Sequence, residues 1–279
     1  MKKKFIEGFI LAILIFSVTE ITHAGMLYSV QENTNSLVTI DTDTLAISTI
    51  GLLGVNFNFG GLAYDNTSQT LYMTDGRVEN EPHRLENKLY KIDMATGHAT
   101  LIGHHGVKDM FGLAFDTSTH TLYGSQFLGG TGVYSLDTST GSATYIGDTG
   151  LERGLGGLAY NSRTDTLVGS QDGYGDLYSV DRTNGSATLL YNGARINDTG
   201  LAYDSENNLY WGIDWDGYLY SWDIDNGYER TTHLSGLGAH DGLAFVENFT
   251  LNPVPEPATM FLLGTGIVGL AGITMRKKK

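Results

Sequence analysis

One phrase, Gly-Leu-Ala followed by an aromatic residue, occurs five times in this chain of 279 residues and leaves it few ways to fold. It stands at Gly61–Tyr64, Gly112–Phe115, Gly157–Tyr160, Gly200–Tyr203 and Gly242–Phe245, so successive glycines are 51, 45, 43 and 42 residues apart. Around its first copy the chain reads Gly61-Leu62-Ala63-Tyr64-Asp65, then Thr70-Leu71-Tyr72, then Leu89-Tyr90-Lys91-Ile92-Asp93, then Ala99-Thr100-Leu101-Ile102-Gly103. Four short apolar-alternating stretches per period of about 45 residues are the pattern of propeller blades.

The two ends of the repeat are complementary. Met26–Val30, Leu37–Asp41 and Ala46–Ile50 match the second, third and fourth strands, with no Gly-Leu-Ala strand before them. Gly242–Phe245 supplies a first strand with no others after it. The expected fold is therefore all-β: a five-bladed β-propeller spanning residues 25–253, whose last blade is closed by an N-terminal and a C-terminal strand. Closure of this kind protects edges that would otherwise template aggregation.

Each strand carries its own expectation. Small residues in the Gly-Leu-Ala strand suit the crowded axis, and the second strands around Tyr28, Tyr72, Tyr123, Val168 and Tyr210 alternate at period two. The third strands end at Asp41, Asp93, Asp137, Asp181 and Asp223. Four of these aspartates have glycine four residues on, at Gly97, Gly141, Gly185 and Gly227, which is hairpin chemistry. Leu45 stands where the fifth glycine belongs, so that turn is expected to differ. The fourth strands are expected at the outer edges.

Charge and composition exclude several functions. Residues 25–253 hold 10 Lys and Arg against 28 Asp and Glu, a surface that repels phosphate backbones, so nucleic acid is not expected as a partner. Cysteine is absent, which removes disulfides, thiolate metal sites and thiol nucleophiles. The histidines, His104 and His105 included, lack metal-site spacing. Asp214–Gly217 and Asp223–Gly227 lack the ligand pattern of a calcium loop and fall where a blade needs turns. No nucleophile elbow or phosphate-cradling loop is present, so no catalytic residue, metal or cofactor is assigned.

What varies between blades is where a ligand site is expected. The longest insertion is Gly76–Asn87. The loops before the Gly-Leu-Ala strands also differ: Asn56–Phe59, Lys108–Phe111, Glu152–Gly154, Arg195–Asp198 and His240–Asp241. If they share one face they ring the axial mouth, and Asp109, Arg153, Asp198 and Asp241 become candidate binding residues. Trp211, Trp215 and Trp222 cluster in the fourth blade, where aromatic rings either stack on sugars or fill a core.

The termini read as addresses. Lys2-Lys3-Lys4, the apolar run Phe9–Phe16 and Thr22-His23-Ala24 have the three parts of a secretory signal peptide over residues 1–24, with signal peptidase expected to cut between Ala24 and Gly25. At the other end Val254-Pro255-Glu256-Pro257 precedes the apolar, glycine-rich run Met260–Met275 and then Arg276-Lys277-Lys278-Lys279. Such a run reads as a short membrane helix with its basic end in the cytoplasm.

This tail, residues 254–279, resembles the PEP-CTERM sorting signal of exopolysaccharide-producing Gram-negative bacteria, with the motif on Pro255, Glu256 and Pro257. The resemblance implies recognition at the inner membrane by an exosortase-type protease, cleavage near the motif, and delivery to the cell surface or extracellular matrix. It implies nothing about what the propeller holds. The expected function is a non-catalytic surface or matrix module that binds polysaccharide or another surface protein. The alternative is an extracellular carbohydrate-active enzyme, a glycoside hydrolase or lyase with acids at the axial mouth. A plain structural spacer is a third reading.

Overall fold

A computed structural model describes residues 25–57, 59–75, 87–127, 129–171 and 173–247. Both terminal address segments and most of the insertion Gly76–Asn87 lie outside the described residues. The chain forms β1 (Gly25–Gln31), β2 (Ser36–Asp41), β3 (Ile47–Leu52), β4 (Leu62–Asp65), β5 (Thr70–Thr74), β6 (Lys88–Ile92) and β7 (Ala99–His104). It continues through β8 (Met110–Asp116), β9 (Thr121–Gln126), β10 (Gly132–Leu136), β11 (Ala143–Asp148), β12 (Leu155–Asn161), β13 (Thr166–Gln171) and β14 (Asp176–Val180). The last strands are β15 (Ala187–Tyr191), β16 (Asp198–Asp204), β17 (Leu209–Asp214), β18 (Leu219–Asp223), β19 (Glu229–Leu234) and β20 (His240–Glu247).

Five antiparallel four-stranded sheets result: β4-β5-β6-β7, β8-β9-β10-β11, β12-β13-β14-β15, β16-β17-β18-β19 and β20-β1-β2-β3. They are the first to fifth blades of a propeller. In the fifth, C-terminal β20 pairs with N-terminal β1, Gly25 facing Glu247 and Tyr28 facing Ala244. The blade is completed by both ends of the chain, as the split repeat requires.

The innermost strands β4, β8, β12, β16 and β20 touch their neighbours in a closed ring. Glycine makes this approach possible. A Cβ on Gly61 would stand 2.5 Å from the Leu113 Cβ of the next blade, and one on Gly157 2.7 Å from the Leu201 nitrogen. One on Gly242 would stand 2.8 Å from the Leu62 nitrogen, back in the first blade. Polar pegs lock the same joints: Thr74 Oγ1 donates to Met110 O at 3.2 Å and Ser125 Oγ to Leu155 O at 3.0 Å, each across a blade boundary. The period-two pattern of the second strands thus marks no solvent face. Thr74, Ser125, Ser170 and Ser29 are all buried, because blades cover both sides of these strands.

A second ring of contacts lies at the rim. Gly51, Gly103 and Gly147 sit at matching places in the outer strands, and the hairpins of Gly97, Gly141 and Gly185 press onto them from the following blade. A Cβ on Gly103 would overlap the Thr140 carbonyl. The other two boundaries use a different solution. Tyr191 replaces the outer glycine of the third blade and packs on Tyr228 of the fourth, ring centres 5.9 Å apart and tilted by 34°. Leu234 replaces that of the fourth, and it packs on the same apolar cluster as Leu45 of the fifth.

The Leu45 turn corrects the sequence expectation. It has the same form as its glycine counterparts: Leu45 N–H donates to Asp41 O at 2.9 Å, as Gly97 does to Asp93 O at 2.7 Å. Leu45 takes φ 58° and Gly97 φ 82°. The Asp41 carboxylate accepts from the backbone of Asp43 and Thr44, and burial of the leucine side chain offsets a left-handed strain of about 1 kcal/mol. The hairpin that departs is the fourth blade's, where Gly227 and Tyr228 both have positive φ and Tyr228 N–H reaches Asp223 O.

On the end of the ring where the first strands finish, Arg182 of the third blade binds Asp116 of the second and Asp165 of its own. Burial alone would raise the Asp116 carboxyl, but hydrogen bonds from Ser118, Thr119 and Arg182 outweigh it and hold the group down at about 2. Since this value lies below the ordinary 3.8, the stabilisation is complete above about pH 4 and is lost as pH falls toward 2.

Two predictions follow from these contacts. Gly103→Ala, which meets backbone, costs about 3 kcal/mol and about 8 °C of Tm, whereas Gly227→Ala, with only its φ to strain, costs about 1 kcal/mol and about 3 °C; thermal melts compare them. Arg182→Met lowers stability at pH 7 by about 2 kcal/mol and moves the onset of acid unfolding to higher pH, read by circular dichroism against pH.

Candidate binding face

The first strand of every blade starts at the same end of the ring, so the five preceding loops share one face, as do the turns from second to third strand. Among the sequence candidates, the structure places Asp109, Arg153 and Asp241 on this face and Asp198 at the start of β16, its side chain outside the description. Asp109 is buried, its carboxylate 3.3 Å from Lys108 Nζ and its carbonyl accepting from Phe127 N–H at 2.9 Å. Asp241 is also buried, and its carbonyl accepts from Ser29 Oγ at 3.3 Å. Of these carboxylates, then, the two described sit within the loop framework. Arg153 is exposed, its guanidinium 5.9 Å from the centre of the Tyr174 ring.

The three tryptophans separate. Trp222 is fully buried and Trp211 nearly so, packed in the blade clusters with Tyr220 and Leu219. A ligand from solvent meets Trp215, whose side chain is 47% exposed. Its indole Nε1 donates to Glu32 Oε2 at 3.0 Å, and the other oxygen of Glu32 accepts from Phe59 N–H at 2.8 Å. One carboxylate of the fifth blade thereby fixes an aromatic residue of the fourth beside one of the first.

Phe59 continues the row. Its ring lies 5.6 Å from Trp215 and stacks on Phe111 at 5.3 Å and 9°, and Phe111 meets Phe127 at 4.8 Å. Phe59 is held at φ 54°, a conformation that costs a non-glycine residue about 1 kcal/mol or more. The Glu32 hydrogen bond and the two ring contacts maintain it. An aromatic ridge therefore runs from the fourth blade over the first to the second, exposed at Trp215, half-buried at Phe59 and buried at Phe111. Phe59, Phe111, Phe127 and Glu32 are not among the residues singled out from sequence. Phe59 and Phe111 do fall in the variable loops, but nothing in their spacing shows that they stack.

The acids that line this face support turns. Asp75 accepts from Lys88 N–H at 2.7 Å and Tyr90 Oη at 3.2 Å, and burial pushes its carboxyl up to about 6. Asp214 accepts from Tyr218 N–H and Tyr220 Oη, and burial raises it as well. Each ties the end of a second strand to the third. Below the face, an axial cavity of about 80 Å³ is lined by the Leu-Ala-aromatic residues of all five inner strands and, among the described residues, by one carboxylate, Glu247, at the opposite end. Among the described residues, no His, Asp and Glu group is arranged to hold a metal ion.

The exposure pattern is open to a fluorescence test. Trp215→Phe is expected to remove most of the acrylamide-quenchable emission while leaving the melt unchanged, and Glu32→Ala to make the remaining indole at 215 more quenchable and red-shifted.

Compared with known families, residues 253–278 match the PEP-CTERM protein-sorting motif, a span that includes Pro255, Glu256 and Pro257 and lies outside the described residues. No curated protein matches the chain. Among solved structures, the chain is similar to one in the crystal structure of a nidogen/laminin complex, at 14% identity and TM-score 0.56, covering 80% of this chain and 81% of that one. It is likewise similar to a structural-genomics protein of unknown function from Bacteroides thetaiotaomicron, at 17% identity and TM-score 0.56, covering 82% of this chain and 59% of that one. At these identities the likeness is one of fold. The chain is a five-bladed β-propeller that carries a PEP-CTERM protein-sorting motif, the mark of an exported protein processed by an exosortase.

Proposed function

We propose that the propeller is a non-catalytic module that binds polysaccharide at the cell surface or in the extracellular matrix. On this reading signal peptidase removes residues 1–24, the apolar run of the tail holds the chain in the inner membrane for the exosortase, and the released domain meets exopolysaccharide outside. The observation that carries the reading is the pair Trp215 and Phe59, held by the two oxygens of Glu32 and backed by the buried ring of Phe111. Pre-positioned aromatic rings stack on the apolar faces of sugar rings at little conformational cost. The axial cavity supports binding over hydrolysis, since cleavage of a glycosidic bond uses a carboxylate pair across a cleft and, among the described residues, this cavity is lined by the single carboxylate of Glu247.

The test incubates the full chain, purified in detergent, with polysaccharide from its own source, and scores co-sedimentation together with release of reducing ends or unsaturated products. Retention without product is the expected result, weakened about tenfold by Trp215→Ala and Phe59→Ala, equivalent to about 1.4 kcal/mol. Release of new chain ends would establish the enzyme alternative instead.

A further inference from the structure

A cleft of about 330 Å³ lies on the same face, lined by Arg153, Gly173, Tyr174, Gly193 and Arg195. We infer that this cleft is a subsite for an anionic sugar residue, one bearing a carboxylate or sulfate, within the polysaccharide-binding role proposed above.

Three observations converge on it. The first is charge. Residues 25–253 carry almost three acids for each base, yet two arginines face one small cleft. Among the described residues the other arginines all reach a protein oxygen: Arg163 that of Ser205, Arg182 those of Asp116 and Asp165, and Arg230 that of Ala194. The guanidinium groups of Arg153 and Arg195 reach none. Among the described residues, the two arginines without an oxygen partner are the two that share this cleft.

The second is shape. Tyr174 is 45% exposed and the Arg153 guanidinium lies over its ring, 5.9 Å from the centre, so a sugar ring can rest against the exposed part of the tyrosine while its anionic substituent meets the cations. Gly173 and Gly193 leave the remaining walls without side chains, and the volume falls at the lower end of the range for small-molecule sites. Guanidinium groups suit this task because their planar fork binds a carboxylate or sulfate through two parallel hydrogen bonds.

The third is rigidity. Gln171 Nε2 donates to Arg153 O at 3.1 Å, and Gly173 N–H to Ile196 O at 2.8 Å. Gly193 N–H donates to Asp176 Oδ1 at 2.7 Å, and Arg230 Nη1 to Ala194 O at 2.9 Å. The backbone on both sides of the cleft is thus tied down before any ligand arrives, which limits the ordering cost of binding.

The test measures retention of the full chain, at physiological salt, on polygalacturonate, carboxyl-reduced polygalacturonate, dextran sulfate and dextran. The proposal expects retention on polygalacturonate or dextran sulfate, the stronger of the two naming the anion. Removing the anionic group, and Arg153→Gln or Arg195→Gln, should each weaken it about tenfold. Arg163→Gln, on the other side of the ring, serves as the charge control and changes it less than twofold, and thermal melts verify that all three variants fold. Equal retention of charged and neutral polymers, or indifference to Arg153→Gln and Arg195→Gln, overturns the anionic subsite and leaves the binding role standing. Retention on none of the four polymers, nor on polysaccharide from the native source, overturns both.

Discussion

The contact on which the whole molecule depends is the one between the inner glycine of each blade and the backbone of the next. Five strands can surround a cavity of only about 80 Å³ because Gly61, Gly112, Gly157, Gly200 and Gly242 put no side chain between neighbours. The leucine that follows each glycine then packs into the adjoining blade, and the aromatic residue two places on encloses the cavity. At such distances a methyl group must displace backbone, which close-packed interiors resist. Every boundary therefore repeats the inner glycine, whereas the rim tolerates replacements provided both sides adapt, with tyrosines at one boundary and leucines at another.

With the ring settled by the inner strands, the loops at its ends are free to vary. On the candidate face the variation accumulates into two adjoining features with different chemistry. The aromatic ridge is built from three blades and secured by a carboxylate from a fourth, so it exists only once the ring has closed. The arginine cleft belongs to the loops around β12 to β16. A polymer lying across the face can meet both.

The blade count, the strand order and the shared fifth blade were all legible in the sequence, because each depends on a repeat that survives in every copy. What was not legible depends on contacts between copies. The tyrosine pair 191 and 228 and the leucine pair 45 and 234 are more than thirty residues apart in the chain and declare no relation until the blades are stacked. Gln69, His120, Asp165 and Asn208 all take left-handed φ at the same turn, but with no glycine there the pattern has no compositional mark. In the site, Trp211, Trp215 and Trp222 form one cluster in sequence. Their separation into two core residues and one exposed residue follows from strand position: Trp211 in β17 and Trp222 in β18 are enclosed by neighbouring blades, while Trp215 stands in the turn between. The ridge was hidden for the same reason, since Glu32 and Trp215 are 183 residues apart.

Ring closure by the two chain ends is the central structural claim, and amide hydrogen exchange tests it directly. If β1 and β20 seal the fifth blade, amides of residues 27–30 and 241–245 exchange only with global unfolding, at the same slow rate as those of β8 and β12. Rapid exchange in either terminal strand, with the four internal blades still protected, would contradict the closed ring and with it the face assembled across its joints.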